Sequence, residues 1–126
     1  MTRFDEIRAR LQGGLEKDTA EFCGLVLHGR RVVIKPTVAP ADPALIVAAY
    51  VGPRGALDAA AALVYNASAP LGALAIEGKA LILRVLCAYD GELEQVIDRL
   101  AREAERLAPP TTAGLVDRTQ PFEHFL

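Results

Sequence analysis

The sequence predicts an α+β fold in the order α-β-β-β-α-β-β-α, a twisted antiparallel sheet packed by helices. Three observations carry this expectation. Apolar stripes at helical spacing open and close the chain, at Phe4, Ile7, Leu11 and Leu15 and again at Leu93, Val96, Ile97, Leu100, Ala104 and Leu107. Between them lie short aliphatic runs whose connections are too short for a crossover helix, so neighbouring strands must run antiparallel. An alanine-rich stretch separates the first three runs from the last two.

Thr2 can cap the first helix, with Asp5 and Glu6 favourably placed in its first turn. Gly13-Gly14 weakens that helix, which is expected to close near Gln12 or Leu15. Residues 21–28 read as a strand, His28-Gly29-Arg30 as a tight turn, and residues 31–38, with Val32-Val33-Ile34, as a second strand. Pro40-Ala41-Asp42-Pro43 breaks the chain before a third strand over 44–51, completing a meander. The stretch from Ala56 to Ser68 is a strong helix former, stopped by Pro70 and Gly72. A hairpin follows, 73–77 and 80–89 about Gly78-Lys79, and Asp90 is placed to cap a last helix over 92–107. Pro109-Pro110 ends it. Residues 1–107 thus form one domain, and 108–126 form a tail without periodicity, expected to be flexible.

At 126 residues the chain can bury roughly two thirds of its unfolded surface, so one core suffices without staples. Hydrophobic residues make up 52% and aromatics only 6%, without tryptophan, so that core must be built from Leu, Val and Ile. A net charge of −2 lacks the basic face that nucleic-acid binding requires. Met1 is followed by a charged helix start rather than an apolar leader, and prolines and Asp42 interrupt the apolar stretch from Pro36 to Pro53. Neither membrane insertion nor export is expected, and two cysteines without an export signal give no disulfide framework. The expected location is cytoplasmic.

No catalytic set emerges. Ser68 stands outside any nucleophile motif, and His28 and His124 lie far apart in sequence, without the Cys, His or acid spacing that a metal demands. Cys23 and Cys87 sit among large aliphatics, where a thiol serves as a small hydrophobe. Asn66-Ala67-Ser68 matches a glycosylation sequon, which has no meaning in the cytosol. No phosphate-binding loop occurs, and the acids of the last helix read as its solvated face. The expectation is therefore no catalysis, cofactor or metal.

The strands say more. Leu81, Leu83, Val85 and Cys87 alternate with Ile82, Arg84, Leu86 and Ala88; Cys23, Leu25 and Leu27 oppose Phe22 and Val26; Leu45, Val47 and Val51 oppose Ile46, Ala48 and Tyr50. Both sheet faces are apolar, whereas a sheet with one wet face should alternate apolar and polar residues. Either the chain's own helices cover both faces, or a second copy or partner covers one. The sequence Pro121-Phe122-Glu123-His124-Phe125-Leu126 adds three large apolar side chains in the tail, which is either unattached or docked on this or a neighbouring subunit.

In size, two-faced sheet and element order, residues 2–107 resemble the class I type III secretion system chaperones, bacterial proteins that bind an effector before export. The resemblance rests on the opening amphipathic helix, the meander, a middle helix ending in Asn66-Ala67, the hairpin from Gly72 to Arg84, and the closing helix. It implies a cytoplasmic homodimer without cofactor, serving virulence through protein–protein interaction, whose interface uses Leu57, Ala61, Val64, Leu74, Ile76 and Ile82. It also implies apolar grooves for the N-terminal segment of a secreted effector, at Phe4, Ile7, Leu11, Phe22, Leu25 and Leu27. The alternatives are a regulatory or assembly protein of the same fold without a secreted client, and a small α/β enzyme.

Overall fold

The computed structural model describes residues 3–37, 44–68, 72–107 and 126. Three helices and a six-stranded antiparallel sheet make the protein α+β. In chain order these are α1 (Arg3–Leu11), a 3-10 turn (Gln12–Gly14), β1 (Lys17–Asp18), β2 (Cys23–Leu27), β3 (Arg30–Pro36) and β4 (Leu45–Pro53), followed by α2 (Ala59–Ser68), β5 (Ala73–Glu77), β6 (Ala80–Cys87) and α3 (Leu93–Leu107). The strand order is β1-β2-β3-β4-β6-β5. Thr2, Pro40-Ala41-Asp42-Pro43, Pro70 and, Leu126 apart, the tail expected to be flexible over 108–126 lie outside the described residues.

Several boundaries move, each for a local reason. The strand expected from residue 21 begins at Cys23, because Thr19 and Phe22 close a turn. Thr19 N donates to Phe22 O at 3.0 Å, and Phe22 N donates back to Thr19 Oγ1 at 3.1 Å. That turn returns the chain onto β1, which pairs Lys17 with Gly24 and Asp18 with Cys23. β1 escapes a pattern search because it is two charged residues long. β6 stops at Cys87 rather than Tyr89, since Gly91 N turns back to Ala88 O at 3.0 Å. Asp90 lies in this turn, and the first α3 backbone bond, from Val96 N, goes to Glu92 O instead. α2 starts at Ala59 because Asp58 Oδ1 accepts from Ala61 N at 2.7 Å, a side-chain N-cap.

His28 (φ 53°) and Gly29 (φ 70°) both take the left-handed conformation, which defines the two-residue turn between β2 and β3. His28 Nε2 lies 2.6 Å from Asp98 Oδ1, and Arg102 Nε donates to the same carboxylate at 2.9 Å, so α3 holds the hairpin tip.

The helices pack on one face of the sheet. Phe4 and Ile7 of α1 and Leu93, Ile97, Leu100, Ala101 and Ala104 of α3 share a core with Cys23, Val32, Ile34, Leu45, Val47, Ala49, Val51, Leu81 and Leu83. Burial of each large aliphatic of α3 contributes roughly 1.5–3 kcal/mol, so its stripe anchors the layer. Leu45, Val47, Ala49 and Val51 of β4 keep to this face, and an irregularity between Tyr50 and Gly52 shifts the register with β6, so that Gly52 pairs with Leu81 and Pro53 with Ala80. The opposite face carries a second, smaller cluster of Phe22, Val33, Ala48, Tyr50, Ala80 and Ile82, with Ala75 and Leu126 packed against it. Among the described residues no helix is long and apolar enough to cross a membrane.

Candidate functional site

α2 is out of balance with its surroundings. Its sequence, Ala-Ala-Ala-Ala-Leu-Val-Tyr-Asn-Ala-Ser, carries no charge, yet none of its ten residues is buried. Leu63 is 70% exposed and Val64 69%. A helix apolar all round normally lies inside a core. Here only Ala62 and Tyr65, with Leu57 just ahead of the helix, reach the edge of the main core.

Asn66 sets the position of α2. Its Oδ1 accepts from Leu74 N at 2.7 Å and its Nδ2 donates to Leu74 O at 3.1 Å, so one side chain takes both outward backbone groups of that residue. β5 is an outer strand of the sheet, and in an antiparallel edge the outward groups alternate by residue. The next outward pair belongs to Ile76, whose side chain is 51% exposed. The opposite edge is blunted by the short, charged β1; the β5 edge carries one charge, Glu77, over five residues.

Gly72 makes the approach to β5 possible. It adopts φ +71°, and a Cβ there would stand 2.6 Å from Arg84 O. Only glycine combines that conformation with contact to the β6 backbone.

Two open grooves flank α2. One, of about 630 Å³, lies against β5 and includes Leu57, Leu63, Asn66, Leu74, Ile76 and Leu81 in its walls. The other, of about 550 Å³, runs along the far side past Ala61, Val64 and Tyr65 to Arg106 and Leu107 of α3. Apolar side chains predominate in both, spaced by small alanines, with Asp58 at each groove, Arg54 in the first and Arg106 in the second.

Of the residues expected at a dimer interface, Leu57, Ala61, Val64, Leu74 and Ile76 gather at α2 and β5. Leu74 is buried among them, as part of the main core. Ile82 does not join them. It pairs with Ala75 in the sheet, and that register turns it to the opposite face, fully buried. Leu63 and Asn66 belong to the surface and were not singled out for it. Leu63 is hidden in an alanine run, and Asn66 carries a role that only its spacing from an edge strand reveals.

The six residues expected to line an effector groove divide as well. Phe4 and Ile7 are buried in the main core, with Leu11, Leu25 and Leu27 partly buried against it. Phe22 stands on the other face, because it precedes Cys23 and strand alternation turns it away from Leu25 and Leu27. These residues therefore do not form one open groove.

Both thiols are buried, Cys23 completely. Burial pushes the Cys23 thiol up to about 11 and raises that of Cys87 too, which suits packing and not nucleophilic attack. Among the described residues no three His, Cys, Asp or Glu side chains gather where they could hold a metal ion. Comparison with protein-family models, with curated proteins and with solved structures returns no match.

Proposed function

We propose that the chain is a homodimeric type III secretion chaperone, which keeps the N-terminal chaperone-binding segment of a secreted effector extended and export-competent in the bacterial cytoplasm. The observation that carries the reading is an uncharged helix with no buried residue, α2, fixed beside the open β5 edge. A second copy fits this surface. Two-fold symmetry sets the same apolar helix against itself or against its partner's β5, and the alanines permit close backbone approach. Three helices with an antiparallel sheet that is apolar on both faces add support through the resemblance already described.

The client's contacts then fall on Leu11, Leu25 and Leu27, the groove residues that retain accessible surface. Phe4 and Ile7 instead fix α1 to the sheet. An extended client segment gains affinity by laying apolar side chains in such grooves and adding backbone hydrogen bonds at a strand edge.

The test has two arms. Sedimentation velocity on the purified chain should give a dimer across the micromolar range. N-terminal segments of secreted proteins from the same organism, presented one at a time, should include one that binds in the absence of the rest of its protein. A monomer that retains none of them would remove the proposal; a dimer that instead binds a cytosolic regulator through a folded domain would move it to the regulatory alternative.

A further inference from the structure

We infer that Asn66 is a stop on a self-complementary strand edge, and that the partner this edge fits is β5 of a second copy. Among the described residues β5 is the last strand of the sheet, and its outward backbone groups belong to Leu74 and Ile76. A two-fold axis beside Ala75 pairs Leu74 of each copy with Ile76 of the other, and each such pair exchanges N–H···O=C bonds in both directions. The side chains suit that register. Glu77 falls opposite Ala73, and the two Ala75 residues face each other, so no like charges meet across the strands. Glu77, the single charge on β5, is also held by Arg84 of its own chain at 3.6 Å.

Both pairs of that register contain a Leu74, whose N–H and C=O are taken by the Asn66 carboxamide at 2.7 and 3.1 Å. One side chain therefore removes every bond that would join the two edges. Moving the axis to Ile76 keeps only the bonds of that one pair. The opposite edge is blunted by a short charged strand, a device β5 cannot share because Leu74 must enter the main core. Ala62 and Tyr65 are partly buried against that core and no residue of α2 is buried, so little besides Asn66 keeps the helix beside the edge. The edge is closed in this way whether or not two wild-type copies meet through α2.

The test compares full-length Asn66→Ala with wild type by sedimentation velocity at matched concentrations. The folded variant should gain a species of at least twice the wild-type mass, whose share rises with concentration. Its Ile76 amide should exchange several-fold more slowly in concentrated than in dilute solution, as pairing at the edge requires. Adding Ile76→Pro removes an outward N–H that the bonds to β6 do not use, so the double variant should fold and return to the wild-type mass. Wild-type mass in Asn66→Ala at every concentration would overturn the inference. So would larger species that survive Ile76→Pro. Val47→Ala, at a fully buried position in the main core, controls for lost stability. Equal association in that variant would trace the effect to instability and overturn the role of the edge. Asn66→Ser, too short to span both Leu74 groups, reads the same edge should the alanine variant fail to fold.

Discussion

The carboxamide of Asn66 completes a ring of two hydrogen bonds with the backbone N–H and C=O of Leu74, as a neighbouring strand would. Six strands thus end at β5, and a side chain from α2 stands where a seventh would begin. The helix is held at a fixed height over the edge, which explains how an apolar helix stays ordered without a buried residue.

Asn66→Ala removes both bonds and leaves two partly buried backbone groups without that partner. At about 0.5–1.5 kcal/mol for each bond, the loss should be roughly 1–3 kcal/mol in urea unfolding. The Leu74 amide should lose hydrogen-exchange protection before the amides of β4 do. Asn66→Asp keeps the acceptor and loses the donor, so its loss should be intermediate at neutral pH. An unchanged Leu74 exchange rate in Asn66→Ala would show that packing alone positions α2.

Gly72→Ala should be costly for two independent reasons. Its φ of +71° strains any L side chain, and the added methyl would meet the Arg84 carbonyl at 2.6 Å, backbone that has no rotamer to yield. A loss of about 2 kcal/mol or more is expected in urea unfolding. Gly55→Ala offers a control, since it shares a positive φ but has open space around its Cβ. Its loss should be near 1 kcal/mol, the conformational part alone.

Acid should weaken the grip of α3 on the β2–β3 turn. The hydrogen bond from His28, with Arg102 helping, holds the Asp98 carboxyl below its ordinary value of 3.8. A carboxyl lowered in the folded state contributes stability that is fully present above the unfolded value and lost as pH falls through the lowered one. Melting temperature should therefore respond to this group only below about pH 4. Asp98→Asn should be less stable at neutral pH and show a shallower decline on the acid side. Parallel acid limbs for the two proteins would refute the linkage.

Cys23 gives the alkaline counterpart. Desolvation raises its thiol from about 9 to about 11, so its contribution is complete below pH 9 and declines as pH rises toward 11. In the native protein Ellman's reagent should react with Cys23 and Cys87 slowly, at rates that rise with urea in step with opening. Fast labelling of either thiol at neutral pH in the absence of denaturant would contradict the burial of these two strand positions.

The α+β architecture was legible because periodicity and turn chemistry are local properties. The stripe from Leu93 to Leu107 and the hairpin about Gly78-Lys79 depend on near neighbours in sequence. β1 was not legible: Lys17-Asp18 has no apolar pattern, and its pairing depends on the Thr19–Phe22 turn. The site was legible in part. Strand alternation already set Phe22 apart from Leu25 and Leu27, and only the pairing of Ala75 with Ile82 turns Ile82 away from α2. Leu63 and Val64 are chemically ordinary members of an apolar helix. Their exposure follows from where Asn66 holds α2, a tertiary fact.

Leu63 and Val64 also provide the sharpest separation between stability and assembly. Both project from the fold, so Leu63→Glu and Val64→Glu remove few contacts within one chain, and each should change urea stability of the monomer by no more than about 0.5 kcal/mol. In a dimer that buries α2, each places a carboxylate in an apolar contact, twice by symmetry, with no basic side chain anywhere in the helix to receive it. Dimer dissociation should then strengthen by tenfold or more for each variant, and the pair together should sediment as a folded monomer. The two measurements must be read together. A monomeric variant that has also lost its circular dichroism would say that α2 needs the second copy in order to fold. A folded variant that remains dimeric would place the interface elsewhere and leave the exposed helix without its proposed occupant.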